Sequence, residues 1–279
     1  VDMYFEALYW QMDDPMIDFR MIKGPGSSSE ALFESANYYS EGRFEKLKGI
    51  NDLHPFQSLK NYSNQIGSRM FPVADYAGFR RIQVEGIRAE IIDYAIKGFV
   101  IYDPNTDKVF VKDKVFDYLN AKVGKADYDV IQFHSVIESE SNATFSLLNW
   151  DLKIKGVSRV FLSDSQAVYI YPADQEIVVK KNRDFTFAGR VHAGMFDYYG
   201  KNFSFEYDKF MLNLPIIDSM TFKVKSRKPD EYGEYPLIRV KSVIEDLSGD
   251  ILIDHPNNKS GRKPFPEYPI FNSKKFSFV

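Results

Sequence analysis

Pairs of acidic residues are the first features of this sequence that could do chemistry. Asp13 and Asp14 are adjacent, and Glu138 and Glu140 are two positions apart, which would place both side chains on one face of a strand. Two carboxyl groups facing each other across a cleft can hydrolyse a glycosidic bond. The chain has 39 acidic residues, so several such pairs are expected by chance. We therefore assign no catalytic residue, and a non-enzymatic role is favoured.

The histidines lack the spacing of a metal site. They are His54, His134, His192 and His255. None is three to five residues from another, and the chain has no Cys to supply a thiolate ligand. The phosphate-binding motifs GxxxxGK[ST] and GxGxxG are also absent, so we predict neither a metal nor a cofactor. Strand alternation predicts His192 and Arg190 on one polar face, opposite Val191 and Ala193.

Aromatic residues are abundant, with 24 Phe and 18 Tyr among 279 residues. Large rings bury much area and suit pleated sheets, so most of the Phe residues are expected in a β-rich core. Tyr is amphipathic and could form an exposed binding face. The candidates are Tyr198, Tyr199, Tyr207, Tyr232, Tyr235 and Tyr268. Such residues could stack on a glycan or line a groove that carries a lipid.

The segment from residue 51 to 126 has a different periodicity from the rest of the chain. Apolar residues at helical spacing predict helices over 53–66, 73–80, 84–97 and 114–122, with Gly67 and Gly98 as stop signals. A strand pair around a turn at 103–107 is predicted between the last two helices. Asp52 is the expected N-cap of the first helix.

Residues 53–111 weakly resemble a winged helix, in which the helix before the hairpin enters the DNA major groove. The resemblance covers about 60 of the 279 residues and rests only on apolar spacing. Charge argues against nucleic acid as the partner, because residues 71–124 contain eight basic and eight acidic side chains. A packing or protein-contact module is the favoured interpretation.

The flanking segments, residues 1–50 and 127–279, alternate with a period of two and predict short strands. Short bursts of alternation at 184–214 are separated by Gly189, Gly194 and Gly200. The predicted fold is mainly β, either a β-solenoid or a sandwich of short strands, with the winged-helix-like α+β segment inserted. Residues 255–273 are rich in Pro, Asn and Gly and predict an extended surface loop.

The overall composition is ordinary for a globular protein. The net charge of −3 provides no general attraction for nucleic acid or anionic lipid. No apolar run reaches the ~18 residues of a membrane-spanning helix, so no transmembrane segment is predicted. The chain begins at Val1 and ends in strand-like residues, which we interpret as a piece of a longer protein.

Several stretches resemble long uncharacterised β-rich cell-envelope proteins of Bacteroidota. They include Phe161–Gln166, Lys180–Phe185, Gly194–Lys201, Leu247–Asp250 and Ile253–Gly261. The resemblance implies a cell-envelope location, in the periplasm or associated with the outer membrane, and a larger parent chain. It implies no catalytic or binding residues.

We therefore expect a non-catalytic structural or protein-interaction region of a large bacterial envelope protein, with a protein or another envelope component as its partner. Two alternatives stay open. One is a polysaccharide-active enzyme with carboxylates in a cleft, and the other is a β-groove that carries a lipid. Converging carboxylates with a raised pKa would favour the enzyme. An apolar trough would favour the lipid carrier, and a flat Tyr-rich face would favour the scaffold.

Overall fold

The computed structural model describes residues 1–22, 30–49, 52–138, 140–240 and 244–278. In this part of the chain, strands outnumber helices and form large antiparallel sheets. The chain divides into two compact units. Unit 1 comprises residues 1–38 and 129–279, and unit 2 comprises residues 39–128. The prediction of a mainly β chain with one inserted helical segment is confirmed at this level.

The elements follow each other in chain order. The strands are β1 (Asp2–Tyr4), β2 (Ala7–Trp10), β3 (Met16–Arg20), β4 (Glu30–Glu34), β5 (Met70–Pro72), β6 (Val100–Asp103), β7 (Lys108–Val111), β8 (Gln132–Val136), β9 (Ala143–Ser146), β10 (Leu152–Ile154), β11 (Val160–Ser163), β12 (Val168–Pro172), β13 (Ile177–Val179), β14 (Phe185–Ala193), β15 (Phe196–Glu206), β16 (Met211–Lys225), β17 (Leu237–Val240), β18 (Ile244–Leu252) and β19 (Ile270–Phe278). The helices are α1 (Glu41–Lys48), α2 (Pro55–Ile66), α3 (Val73–Arg80), α4 (Val84–Ile96) and α5 (Asp113–Lys122). These helices all belong to unit 2.

Helix α2 shows how local sequence sets the two ends of a helix. Pro55 lies in the first turn, where its missing N–H has no helical partner to lose. Gly67 ends the helix in the left-handed conformation, with φ of 65°. The predicted helix is confirmed, but its N-cap is His54 rather than Asp52, because the ring nitrogen of His54 accepts the Phe56 N–H.

The other elements predicted between residues 73 and 122 are confirmed to within one or two residues. Helix α4 buries Ile87, Ile91 and Tyr94, which lie three and four positions apart and therefore share one face. Gly98 follows this helix with φ of 76°, as its predicted position requires. Among the described residues, no helix has the length and apolar character needed to cross a bilayer.

The core of unit 2 is built between these helices and a small sheet. Strands β5, β7 and β6 pair antiparallel in that order. The ring centroids of Phe56 and Phe99 are 4.5 Å apart, and Tyr118 packs edge-on against Phe99 at 4.9 Å. Such aromatic pairs add packing energy to the burial of the rings themselves.

Unit 1 contains a three-stranded sheet, in the order β1-β4-β8, and a much larger sheet. The main path of the large sheet runs β19-β18-β16-β15-β14-β13-β10-β9-β3-β2. Strand β12 joins β11 to β14, and β17 pairs with the end of β16. All these strand pairs are antiparallel. Their buried faces share one apolar core.

The large sheet branches at Gly189 in the middle of β14. The residues before Gly189 pair with β13, whereas residues 189–193 pair with β12. Gly189 has φ of 139°, and a Cβ there would lie 2.2 Å from the Tyr171 carbonyl oxygen. Its partner on β15 is Gly200, where a Cβ would lie 2.2 Å from the Ile216 carbonyl oxygen. Only glycine permits these close backbone approaches.

Three expectations about element boundaries are wrong. Residues 41–48, placed in the strand segment 1–50, form α1, because Ser40 accepts the Arg43 N–H and caps a helix. The alternating bursts at 184–214 belong to the long strands β14, β15 and β16, since the glycines at 189 and 200 lie within strands. The loop predicted over 255–273 ends at residue 269, where β19 follows.

Candidate ligand-binding pocket

A cavity of about 500 Å³ lies in unit 1, on the core-facing side of the strands from β14 to β19. This volume falls within the range of roughly 300 to 1,000 Å³ that is typical of small-molecule sites. The lining residues are Ala193, Gly194, Met195, Phe196, Tyr198, Met220, Leu247, Ile251, Pro269, Phe271 and Ser273. None of these side chains carries a charge, so the cavity suits an apolar ligand.

Strand pairing brings residues that are distant in sequence into this lining. Tyr198 of β15 is directly opposite Met220 of β16. Ile251 of β18 is directly opposite Phe271 of β19. Directly opposed side chains on one face of an antiparallel pair lie close together. The lining, which includes Ala193 of β14, is therefore a product of sheet register across five strands.

The sheet curls around the cavity. Strands β15 and β19 are separated by β16 and β18, so a flat sheet would hold them roughly 14 Å apart. Instead, the ring centroids of Tyr198 and Phe271 are only 4.9 Å apart. A Cβ built on Gly194 would lie 3.6 Å from Cγ of Pro269. The start of β19 therefore returns over the turn between β14 and β15, and this closure gives the cavity its walls.

Gly249 on β18 makes room for one wall of the cavity. A Cβ at this position would lie 2.6 Å from Cε2 of the Phe271 ring. The ring thus occupies the space that a side chain would take and covers the β18 backbone. Any larger residue at position 249 would displace Phe271 from its present position in the lining.

Two hydroxyl groups are the polar side-chain groups of the lining, those of Tyr198 and Ser273. Tyr198 is almost fully buried, and burial raises the pKa of its hydroxyl, which is therefore neutral at physiological pH. Its hydroxyl forms no hydrogen bond within the part of the chain that the structure describes. A hydroxyl group without a protein partner is available to a ligand or to water.

The acidic pairs noted in the sequence do not line this cavity. Asp13 and Asp14 lie in the turn between β2 and β3, whereas Glu138 and Glu140 follow β8. Glu140 is paired with Lys155, whose hydrogen bond lowers the pKa of Glu140. The arrangement that would favour a glycosidase, two carboxyl groups converging on a cleft, is absent from the cavity lining.

Asp129 is a fully buried carboxyl group outside the cavity. The hydroxyls of Ser35 and Tyr207 donate hydrogen bonds to it at 2.6 and 2.7 Å, and the Ile131 N–H donates at 3.0 Å. Burial raises the pKa of Asp129, and the donated hydrogen bonds oppose that rise. Through these hydrogen bonds, the buried Asp129 connects distant segments of unit 1. This structural role accounts for its burial, so its raised pKa does not indicate catalysis.

His192 has the position that alternation predicted. It shares the outer face of β14 with Arg190, while Val191 and Ala193 are buried. Its Nδ1 lies 2.9 Å from Oδ1 of Asp197, and its ring is stacked on an aromatic neighbour. Across the described residues, no three His, Asp or Glu side chains are grouped so that they could hold a metal ion.

The Tyr residues that could have formed one exposed face differ widely in exposure. Tyr198 and Tyr207 are buried, with exposed fractions of 2% and 3%, whereas Tyr232 is 90% exposed. The expectation of an exposed Tyr face is therefore wrong for Tyr198 and Tyr207. Tyr198 contributes to the cavity instead.

Several basic residues of the helical segment form ion pairs with carboxylates. Arg88 donates two hydrogen bonds to Asp107, at 3.0 and 2.9 Å. Nζ of Lys97, the C-cap residue of α4, lies 2.6 Å from Oδ2 of Asp93. Paired cations have less charge to offer a phosphate backbone, which agrees with the balanced charge of the sequence.

Sequence reasoning missed most of the cavity. The sequence did not single out Met195, Met220, Pro269 or Phe271. An apolar residue in a strand shows the same alternating pattern whether its side chain faces a packed core or a cavity. The two-residue turn at Gly194 and Met195 could have drawn attention to this end of β14 and β15. No local signal identifies β19 as the opposite wall.

Comparisons of the chain with protein-family models, with curated proteins and with solved structures find no match. The geometry of the cavity and the chemistry of its lining are therefore the basis of the functional proposal.

Proposed function

We propose that unit 1 is a non-catalytic binding region whose ligand is apolar, with the acyl chain of a lipid as the substrate class. The observation that carries this proposal is the uncharged lining of the cavity of about 500 Å³. Burial of apolar ligand surface there contributes about 25 cal/mol per Å². This proposal corresponds to the lipid-carrying β-groove, one of the three functions that are compatible with the sequence.

The other two functions have less support at this site. A polysaccharide-active enzyme needs carboxyl groups across a cleft, and the cavity lining contains none. A purely structural scaffold needs no cavity, because protein cores are normally filled to crystal-like density. A cavity of this size in the core-facing surface of a sheet therefore favours ligand binding over packing alone.

We infer that the fold of unit 1 is closer to the sandwich alternative than to a solenoid. Strands β14, β15 and β16 are consecutive antiparallel neighbours. A β-solenoid stacks successive turns with strands in parallel register. The hairpin pairing of unit 1 instead produces a curled antiparallel sheet.

We also propose that residues 51–126 form a winged-helix-like packing module. The order α2, β5, α3, α4, β6, β7 and the sheet order β5-β7-β6 support this interpretation. The ion pairs of Arg88 and Lys97 argue against a DNA-binding role for α4. A cell-envelope location, with a protein or another envelope component as partner, remains a proposal that rests on the Bacteroidota resemblance.

Displacement of a fluorescent fatty acid from the purified chain tests the binding proposal. We expect the wild-type chain to bind the probe and Met220→Trp to weaken binding at least tenfold, because the larger ring fills the cavity. The matched control is Ile216→Trp on the same strand, since Ile216 is 50% exposed and does not line the cavity. Circular dichroism would establish that both variants remain folded.

Failure of the wild-type chain to bind the probe would overturn the proposal. Equal loss of affinity in both folded variants would also contradict it, because Ile216→Trp leaves the cavity volume unchanged.

A further inference from the structure

The apolar lining of the cavity does not end at the cavity. Met220, Phe222 and Val224 are alternate residues of β16, so all three project from one face of the strand. Phe222 stacks on the lining residue Phe196, with ring centroids 5.8 Å apart. An unbroken apolar surface therefore leads from Met220 inside the cavity to Val224, roughly 13 Å further along the strand.

Strand β17 widens this surface. Val240 is paired with Phe222, and Ile238 is paired with Val224. Directly opposed residues of an antiparallel pair lie on the same face, so these side chains continue the apolar surface sideways. We call Phe222, Val224, Ile238 and Val240 the apolar strip.

The opposite face of the same hairpin is different in character. Lys223 is paired with Arg239, and Lys225 is paired with Leu237. The hairpin is thus amphipathic, with three basic residues on one face and the apolar strip on the other. In an ordinary amphipathic hairpin, the apolar face is covered by protein. Here Val224 and Ile238 are 37% and 50% exposed.

The lack of charge in the cavity lining determines which part of an amphiphilic ligand can enter the cavity. No lining residue could neutralise a carboxylate, and burying an unpaired charge is costly. The uncharged tail of the ligand must therefore enter the cavity, and a charged head must stay outside. A chain that is longer than the cavity then needs apolar protein surface between the cavity and the head group.

We propose that the apolar strip on β16 and β17 holds the segment of an acyl chain that extends beyond the cavity, so that the site selects long-chain amphiphiles. The strip adjoins the lining residue Phe196 through the contact of Phe222, and Val224 and Ile238 provide exposed apolar surface that such a segment would cover. This inference rests on the proposed function, because the cavity must first take the chain end.

The experiment compares a short and a long fatty acid on the same site. Decanoate and palmitate are measured by displacement of the fluorescent probe, on wild type and on the double variant Val224→Ser with Ile238→Ser. Each buried methylene group contributes about fourfold in affinity, so loss of contact with a few methylenes lowers palmitate affinity by about tenfold or more. Decanoate has six fewer methylene groups to place beyond the cavity, so on this proposal its affinity should stay within about twofold.

The matched control is the double variant Leu237→Ser with Ile216→Ser. Both residues are exposed apolar residues of the same hairpin strands but lie outside the strip and the cavity lining. We expect this variant to bind both fatty acids as wild type does. A lysophospholipid with the same acyl chain as palmitate, used as a third ligand, should show the same loss as palmitate, because the shared chain contacts the strip.

The outcomes separate this inference from the proposed function. Two results would refute binding of the acyl chain by the strip while leaving the cavity proposal intact. One is that wild type binds palmitate no more tightly than decanoate. The other is that palmitate binds wild type and the strip variant with equal affinity. Equal weakening by the control variant would refute it as well. Absence of binding by either fatty acid to wild type would refute both proposals.

Discussion

His54 shows how much one side chain can decide at the residue scale. Its Nδ1 accepts the Phe56 N–H at 3.1 Å, which requires that nitrogen to be unprotonated. Its Nε2 therefore carries the proton and donates to the Phe44 carbonyl oxygen at 3.0 Å. The ring is also stacked on that of Phe44, with centroids 3.8 Å apart. The neutral imidazole thus joins α1 to the start of α2, a role that no histidine spacing rule would reveal.

We expect acidic pH to lower the stability of unit 2 through protonation of His54. Burial lowers the pKa of His54 below its ordinary value of 6.5, with the bond to the Phe44 carbonyl opposing the shift. Because the unfolded chain binds a proton more readily, the stabilisation is complete above pH 6.5 and decreases as pH falls towards the folded-state pKa. We expect the urea midpoint of the helical circular-dichroism signal to decrease between pH 7.5 and about pH 5.5.

The variant His54→Asn isolates this effect. Asn retains a cap acceptor but does not titrate, so the midpoint should be lower at neutral pH and change less between the two pH values. His134→Asn, at an exposed position in unit 1, should keep the wild-type pH dependence. An unchanged pH dependence in His54→Asn would show that other groups cause it.

Strand β14 illustrates the element scale, because one glycine divides its partners. A strand that pairs with β13 at one end and β12 at the other needs a backbone irregularity where the partner changes. Gly189 supplies it, and Gly200 on β15 supplies the matching close approach. Alternation in the sequence correctly indicated strands here. It could not indicate that the glycines lie inside long strands, because turn and bulge glycines have the same local pattern.

Substitution of Gly189 should therefore strongly destabilise unit 1. A Cβ at position 189 would meet the Tyr171 carbonyl oxygen at 2.2 Å, and the φ of 139° is strained for any L side chain. We expect Gly189→Ala to lower the free energy of unfolding of unit 1 by about 3 kcal/mol or more, as measured by urea denaturation.

Gly78→Ala is the matched control for this prediction. Gly78 lies in α3 with open space around it, so alanine there should be neutral or stabilising by about 0.5–1 kcal/mol. A small effect at position 189, similar to that at 78, would show that β14 can rearrange around the branch.

At the scale of the whole molecule, the two units carry different chemistry. Unit 1 contains the uncharged cavity and the apolar strip, whereas unit 2 combines helices with a small sheet and an aromatic core. Unit 2 contains the proposed winged-helix-like module, and two of its arginines are paired with carboxylates. Arg88 is bound by Asp107, and Arg80 lies 3.5 Å from Glu90.

We expect no measurable binding of the whole chain to duplex DNA in a fluorescence-anisotropy titration, even at low salt, because residues 71–124 contain as many acidic as basic side chains. Asp107→Asn and Glu90→Gln together release Arg88 and Arg80, and this variant should gain weak, salt-sensitive affinity. Tight binding by the wild-type chain with a steep salt dependence would contradict the packing role proposed for residues 51–126.

The sequence by itself determined the elements that depend on neighbours in the chain. Helices α2 to α5 and the hairpin of β6 and β7 could be predicted because apolar spacing, caps and stop glycines act over three to five residues. Charge balance in residues 71–124 likewise needed no structure.

The presence of the cavity is determined only by the tertiary structure. Its walls join Tyr198 to Phe271, more than seventy positions later in the chain, through a curl of the sheet. Whether an apolar strand residue packs against a neighbour or faces empty space depends on strand order and register, and these are set by contacts between distant segments. The same periodicity in the sequence is compatible with a filled core and with a binding site, because alternation determines only which face is buried.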